Sequence, residues 1–268
     1  MLEKQDSAKQ VEDFYDWTRN YWMDLARRPD GTDSGMLNFG FWDEATCHMF
    51  DAQENLRSLI VGLLGDIPSG ARVLEIGGGM GGAAVTFAQE HNDVALTCMD
   101  LAPGQLQIAQ NRARQAGQNQ RIEFRQGSSM DMPFTDETFD FSYCIESSFH
   151  YPDKLAFFRE NYRVLKPGAT AVVADITCVD NLQVKFRSGN YFCDAEDMQR
   201  QMKEAGFVVT RFVRIGDKVF NQLKRHIEDF YGGRRDKLCR YWNLVLKNYA
   251  ELFNNNNMGY DIFVLRKV

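Results

Sequence analysis

The residues best suited to move a proton stand together near the middle of the chain. Glu146-Ser147-Ser148-Phe149-His150-Tyr151-Pro152-Asp153 directly follows the apolar run Phe139-Asp140-Phe141-Ser142-Tyr143-Cys144-Ile145. An imidazole titrating near neutrality suits the deprotonation of a weak acid such as a hydroxyl. His150 is one of four histidines, and Asp175 lies near the end of another apolar run, Thr170 to Ile176. A carboxylate next to an imidazole holds its tautomer and stabilises the protonated ring. Glu146 is a rival base, or a carboxylate that braces the backbone. A second constellation lies upstream. Gly77, Gly79 and Gly82 form G-x-G-x-x-G after the run Arg72-Val73-Leu74-Glu75-Ile76. Glycines there allow a tight turn and a close approach of ligand to backbone. Asp100 closes the next apolar run, where a carboxylate can accept from both hydroxyls of an adenosine ribose. These residues by themselves admit either a nicotinamide dinucleotide or S-adenosylmethionine.

The elements that must position these groups alternate. Apolar runs at 72–76, 94–99, 122–124, 139–145 and 170–176 are separated by helical patterns or turns, with Lys166-Pro167-Gly168 reading as a turn before the fifth strand. Such alternation predicts an α/β fold with a parallel sheet covered on both faces and a ligand at the carboxyl ends of its strands. Residues 1–65 read as mostly helical, broken at Pro29-Asp30-Gly31 and Asp33-Ser34-Gly35, with Asp51 placed to cap a helix through Leu56, Ile60 and Leu63. The four asparagines 254–257 read as a loop before a last strand.

Composition limits the function classes. The 268 residues carry 31 basic and 37 acidic side chains, a formal charge of −6, which argues against broad neutralisation of nucleic-acid phosphates. Six cysteines, at 47, 98, 144, 178, 193 and 239, form no C-x-x-C, and no His/Asp/Glu set has metal-ligand spacing. No metal is expected. The first residues are charged, and no run approaches the roughly 18 apolar residues of a membrane span. The expectation is a cytoplasmic protein acting on a small molecule, without nucleic-acid or membrane partners, and with a homodimer left open. Aromatic residues make up 13%, several of them before residue 45, which suits an apolar ligand pocket as well as a large core.

Several ordered motifs together resemble one family. Val73-Leu74-Glu75-Ile76-Gly77-Gly78-Gly79-Met80-Gly81 resembles the first motif of class I S-adenosylmethionine-dependent methyltransferases, with its acid two residues before the first glycine. Gly127-Ser128-Ser129-Met130-Asp131-Met132-Pro133-Phe134 resembles their adenine-side segment, although Ser128 stands where an acid is frequent. Arg163-Val164-Leu165-Lys166-Pro167-Gly168 is similar to the turn before their fifth strand, and Met258 to Lys267 to their antiparallel seventh. The resemblance implies a Rossmann-like, seven-stranded, mostly parallel sheet over 67–268 and an N-terminal helical lid over 1–66. Segments 180–194 and 216–256 would be substrate-pocket insertions.

The same resemblance implies a cofactor set of Glu75, Gly77, Gly79, Asp100, Leu101, Gln105, Ser128, Ser129 and Met130, with Tyr15 and Asn38 from the lid. The cofactor would be S-adenosylmethionine, its product S-adenosylhomocysteine. The pattern E-S-x-x-H-x-P-D resembles natural-product O-methyltransferases of the sugar, macrolide and indolocarbazole type. There the histidine is the general base, which would make His150 the base and Asp175 its helper. In related prenyl-type C-methyltransferases a glutamate at the position of Glu146 is the base. C- or N-methylation, a methyltransferase-like cyclase that binds the cofactor without methylating, and a dinucleotide-dependent dehydrogenase are the alternatives. Leu37-Asn38-Phe39-Gly40-Phe41-Trp42, with Tyr15, Trp17, Tyr21 and Trp22, would close over the methionine end of the cofactor.

Overall fold

The computed structural model describes residues 2–179, 190–231 and 236–268. Seven strands form one sheet: β1 (Arg72–Ile76), β2 (Ala95–Asp100), β3 (Ile122–Gln126), β4 (Phe139–Ile145), β5 (Leu165–Cys178), β6 (Phe207–Arg214) and β7 (Met258–Lys267). Their order is β3-β2-β1-β4-β5-β7-β6. The first five pair in parallel, and β7 runs antiparallel between β5 and β6. The chain winds outward from β1 through β3 and returns at β4. A crevice therefore opens above the carboxyl ends of β1 and β4, the place where such sheets bind ligands.

Helices cover both faces. They are α1 (Leu2–Leu25), α2 (Met49–Gly62), α3 (Gly82–Glu90), α4 (Pro103–Gln115), α5 (Lys154–Val164), α6 (Ala195–Glu204), α7 (Phe220–Tyr231) and α8 (Lys237–Asn254). Strand alternation divides the core between the two faces. Val172, Ala174 and Ile176 of β5 pack with Trp22, Leu56, Leu223 and Trp242. Val173 of β5 and Phe263 of β7 pack on the other side with Phe157, Phe158 and Met198. In α2 the buried Met49, Ala52, Leu56 and Ile60 recur every three or four residues, the stripe a helix needs to dock on a sheet. Acidic caps begin three helices: Asp153 accepts from the N–H of Ala156, Asp194 from Asp197, and Asp236 from Leu238 and Cys239. Pro103 opens α4, where its missing N–H costs nothing.

Three local expectations are corrected. Residues 26–48 are irregular apart from isolated turns, so helix occupies less of the first 65 residues than the pattern suggested. The cap of α2 is His48, whose ring accepts from the N–H of Phe50; Asp51 sits in the first turn and pairs with Arg28. An imidazole can cap as an oxygen does, and Asp51 is drawn to the guanidinium instead. The stretch 166–168 lies within the long strand β5, whose pairing shifts register between Phe139 and Phe141 and absorbs the expected turn. Among the described residues, no helix is long and apolar enough to cross a membrane.

Candidate active site

The glycine turn is built by backbone geometry. Gly77 and Gly79 have φ of +74° and +53°, the left-handed region that favours glycine. The N–H groups of Gly77 and Gly78 both donate to the carbonyl of Met99, at 2.8 and 3.1 Å, fixing the turn to β2. A Cβ on Gly77 would lie 2.0 Å from Ser147 Oγ, whereas a Cβ on Gly79 would meet nothing within 4 Å. The third glycine has a different task. A Cβ on Gly82 would lie 2.1 Å from the carbonyl oxygen of Ser34, and the Gly82 N–H donates to Gly35 at 3.1 Å. Gly82 thus lets the segment between α1 and α2 seat directly on α3.

A cleft of about 1090 Å³ including its open mouth lies above this turn. Every residue of the expected cofactor set lines it: Glu75, Gly77, Gly79, Asp100, Leu101, Gln105, Ser128, Ser129 and Met130 from the sheet side, Tyr15 from α1 and Asn38 from the segment between α1 and α2. Asp100 is half-buried; its Oδ2 accepts from the Gly79 N–H at 2.8 Å and its Oδ1 from Ala102 at 2.9 Å. Burial lifts its carboxyl above the usual range, against the pull of those N–H groups. Glu75 lies beneath Gly78, and burial pushes it up to about 8 although the Cys98 thiol donates to it. Gln105 is 3% exposed, and its Oε1 is buried with no hydrogen-bond partner among the described residues.

Two of these side chains are partly committed to their own loops. Ser128 Oγ accepts from the Met130 N–H at 3.2 Å, so it shapes the turn as well as the cleft wall. Asn38 Oδ1 accepts from Gly40 at 3.1 Å and its Nδ2 meets the Met36 sulfur at 3.6 Å.

Two of the proton-moving groups, Glu146 and His150, line the same cleft. His150 ends a single 3-10 turn, Ser148–His150, just beyond β4, and Tyr15 of α1 places its hydroxyl 2.8 Å from His150 Nε2. Burial raises the Tyr15 phenol, helped by the charges of Asp100, Glu146 and Asp175, so it stays protonated. Glu146 has φ of +46°, unusual for a residue other than glycine, and it is 8% exposed. Its Oε1 accepts from the Phe39 N–H and from the Tyr260 hydroxyl, each at 2.7 Å, and burial pushes it up to about 8. It joins the cover segment to the end of β4 and to β7.

Asp175, expected as the helper of His150, contacts the turn that carries it. Its Oδ2 accepts from the Ser148 hydroxyl and its Oδ1 from the Ile176 N–H at 2.8 Å; it does not line the cleft. Burial raises it to about 6, with the Lys154 ammonium opposing. Lys154 Nζ in turn donates to the Ser148 carbonyl at 2.9 Å. Both groups brace the turn that carries His150, because the register of β5 aims Asp175 at the first residue of that turn.

A second cavity of about 480 Å³ adjoins the first, sharing Tyr15, Leu37 and Glu146 with it. Its remaining walls are largely rings, including Phe14, Trp22, Phe39, Phe149, Trp242 and Tyr249. Of the two segments expected to shape an acceptor pocket, 216–256 contributes through α8, and 180–194 contributes Asn190; residues 180–189 lie outside the described residues.

Comparison with known proteins agrees with this arrangement. A family model described as a methyltransferase domain matches residues 73–168. The 27-O-demethylrifamycin SV methyltransferase of Amycolatopsis mediterranei is 32% identical over 245 residues, 86% of this chain and 89% of that one. The chain belongs to the class I S-adenosylmethionine-dependent methyltransferases. The methyltransferase is also 28% identical over 205 residues to the erythromycin 3''-O-methyltransferase of Saccharopolyspora erythraea, covering 70% of this chain and 67% of that one. Its fold matches a crystal structure of the cyclase SpnF with a TM-score of 0.81, at 23% identity over 97% of this chain and 96% of that one. It is an enzyme of the natural-product type, and its cofactor is S-adenosylmethionine.

The residues present fit that cofactor. The open space above Gly79, the strand-end carboxylate of Asp100 and the amide of Gln105, whose oxygen has no partner among the described residues, all line one cleft. Sequence reasoning about the methyltransferase missed Gln53, which is fully buried on α2. Its Nε2 donates to the carbonyls of Met36 and Asn38, at 3.1 and 2.9 Å, and its Oε1 accepts from Ser34. The only signal was a polar residue on the apolar stripe of α2, between Met49 and Leu56.

Proposed function

We propose that the enzyme methylates a hydroxyl of a small apolar metabolite, with His150 as general base. In this reading the cofactor occupies the larger cleft, held by Asp100, Gly77, Gly79, Leu101, Gln105 and the 128–130 turn, and the acceptor occupies the adjoining aromatic cavity. The observation that carries it is the Tyr15 hydroxyl, 2.8 Å from His150 Nε2 at the junction of the two spaces. A hydroxyl oxygen already stands within proton-transfer distance of the imidazole there, so an acceptor hydroxyl entering from the aromatic side has a base within reach. Bound S-adenosylmethionine supplies an activated methyl group, which leaves the protein the tasks of orientation, water exclusion and removal of one proton.

His150 takes that proton, the turn braced by Asp175 and Lys154 holds the ring in place, and the aromatic cover keeps water out. The name of the erythromycin relative, an O-methyltransferase, supports oxygen as the acceptor atom. One observation favours a second reading: Glu146, unlike His150, lines both spaces, which suits a carboxylate base for C-methylation. Release of S-adenosylhomocysteine with a phenolic acceptor separates the two. His150→Ala will lower kcat by about 10²–10⁴-fold while S-adenosylhomocysteine affinity holds, and Glu146→Gln will keep turnover. Loss of turnover in Glu146→Gln with His150→Ala active would transfer the role to the glutamate. An acceptor converted without any release of S-adenosylhomocysteine would point to a cyclase.

A further inference from the structure

The aromatic cavity contains a polar group that the fold leaves unanswered. Trp242 lines it and is 6% exposed, and its indole Nε1 is buried with no hydrogen-bond partner among the described residues. Buried donors in folded proteins nearly always have a partner, and an unmet one is costly. The ring's neighbours include Trp22 at 4.8 Å, Tyr241 at 5.5 Å, Tyr21 at 5.9 Å and Phe14 at 6.0 Å between centroids. At the cofactor end of the same cavity stands the Glu146 carboxyl, held on one oxygen by Phe39 and Tyr260. The cavity thus has a carboxyl at its inner end, an indole donor on the α8 wall and aromatic faces around both.

We propose that the methyl acceptor is a flat, conjugated molecule that carries a carbonyl-type oxygen for the Trp242 N–H in addition to the hydroxyl that is methylated. This rests on the reading that the aromatic cavity holds the acceptor. Flat π-systems pack against such walls at ring separations of about 4.5–7 Å, and a carbonyl oxygen is the acceptor a buried indole lacks. The carbonyl gives orientation: with it on Trp242, the rest of the molecule extends toward Tyr15 and Glu146, where the two spaces meet. An aliphatic alcohol would leave the indole unmet and would be free to turn.

Two probes of matched size test this in calorimetric titration of the full-length enzyme saturated with S-adenosylhomocysteine. Hydroxyacetonaphthone carries ring, hydroxyl and carbonyl; ethylnaphthol replaces the carbonyl by a methylene. The wild type will bind the ketone about two- to tenfold more tightly, the range for one neutral hydrogen bond. Trp242→Phe keeps a ring and removes the N–H, and in it the preference will vanish. A titration of that variant with S-adenosylhomocysteine reports that its fold and cofactor cleft are intact, and the wild-type comparison stands without any variant. Equal affinities in the wild type, or a preference that survives in Trp242→Phe, overturn the carbonyl assignment alone. If neither probe binds, the cavity is not the acceptor site, and that part of the proposed function falls with it.

Discussion

Substitutions at two glycines, 77 and 79, separate the structural from the ligand-facing half of the glycine turn. Gly77→Ala and Gly79→Ala each place a side chain on a left-handed backbone, at φ of +74° and +53°, for a cost of about 1–2 kcal/mol apiece. The surroundings then diverge. The new methyl at 77 lies 2.0 Å from Ser147 Oγ, 2.5 Å from Ser147 Cβ and 3.1 Å from Tyr151 Oη, so the turn carrying His150 must shift. Overpacking of this kind adds about 1–3 kcal/mol. The methyl at 79 has no protein atom within 4 Å and projects where the cleft is open. Gly77→Ala will therefore melt lower than Gly79→Ala by about 3–9 °C, at roughly 3 °C per kcal/mol for a chain of this size. Gly79→Ala will keep more stability and lose S-adenosylhomocysteine affinity by about tenfold or more, because its methyl competes for ligand space. Thermal denaturation and calorimetric titration on the two purified variants read both quantities. Equal melting temperatures would refute the packing role of Gly77, and full affinity in Gly79→Ala would refute the assignment of Gly79 to the cofactor.

Three further outcomes follow from the same geometry. Asp100→Ala will weaken S-adenosylhomocysteine by on the order of 1.5–3 kcal/mol in calorimetry, the scale for hydrogen bonds to a charged group, and unchanged affinity would remove Asp100 from the site. Amide hydrogen exchange over residues 12–42 will slow when S-adenosylhomocysteine is added, since Tyr15 and Asn38 line its cleft; identical exchange with and without ligand would leave these residues only a packing role. Burial pushes Glu75 and Glu146 each up to about 8, so the native state holds their protons more tightly than the unfolded chain does. Their contribution to stability is complete below the ordinary carboxylate range and is lost as pH rises toward 8. The melting temperature will fall across that window, and Glu146→Gln will flatten the slope; a flat wild-type profile would contradict the buried, protonated carboxyls.

What the sequence determined by itself lies where chemistry is local. The turn at Gly77–Gly79 needs left-handed backbone, and only glycine adopts it freely, so three letters between an apolar run and a helical pattern located it. Asp100 ends a strand that neighbours the first, so its reach to Gly79 follows from the βαβ unit alone. Strand alternation set the parallel sheet in the same way, and the whole expected cofactor set came to line one cleft. The tertiary structure decided the rest, because it depends on contacts between parts far apart in the chain. Tyr15 meets His150 across 135 residues, and Phe39 meets Glu146 across 107; both depend on how the cover seats on the sheet. The cover itself runs through 26–48, which has no period from which packing could be read. Asp175 had the right residue type at the right strand end, yet pairing register aims it at Ser148. Trp242 reads in sequence as one more apolar residue of an amphipathic helix. Only packing α8 against α1 buried its N–H in a cavity wall without a partner among the described residues, since whether a donor is satisfied depends on every atom around it and not on its own position in the chain.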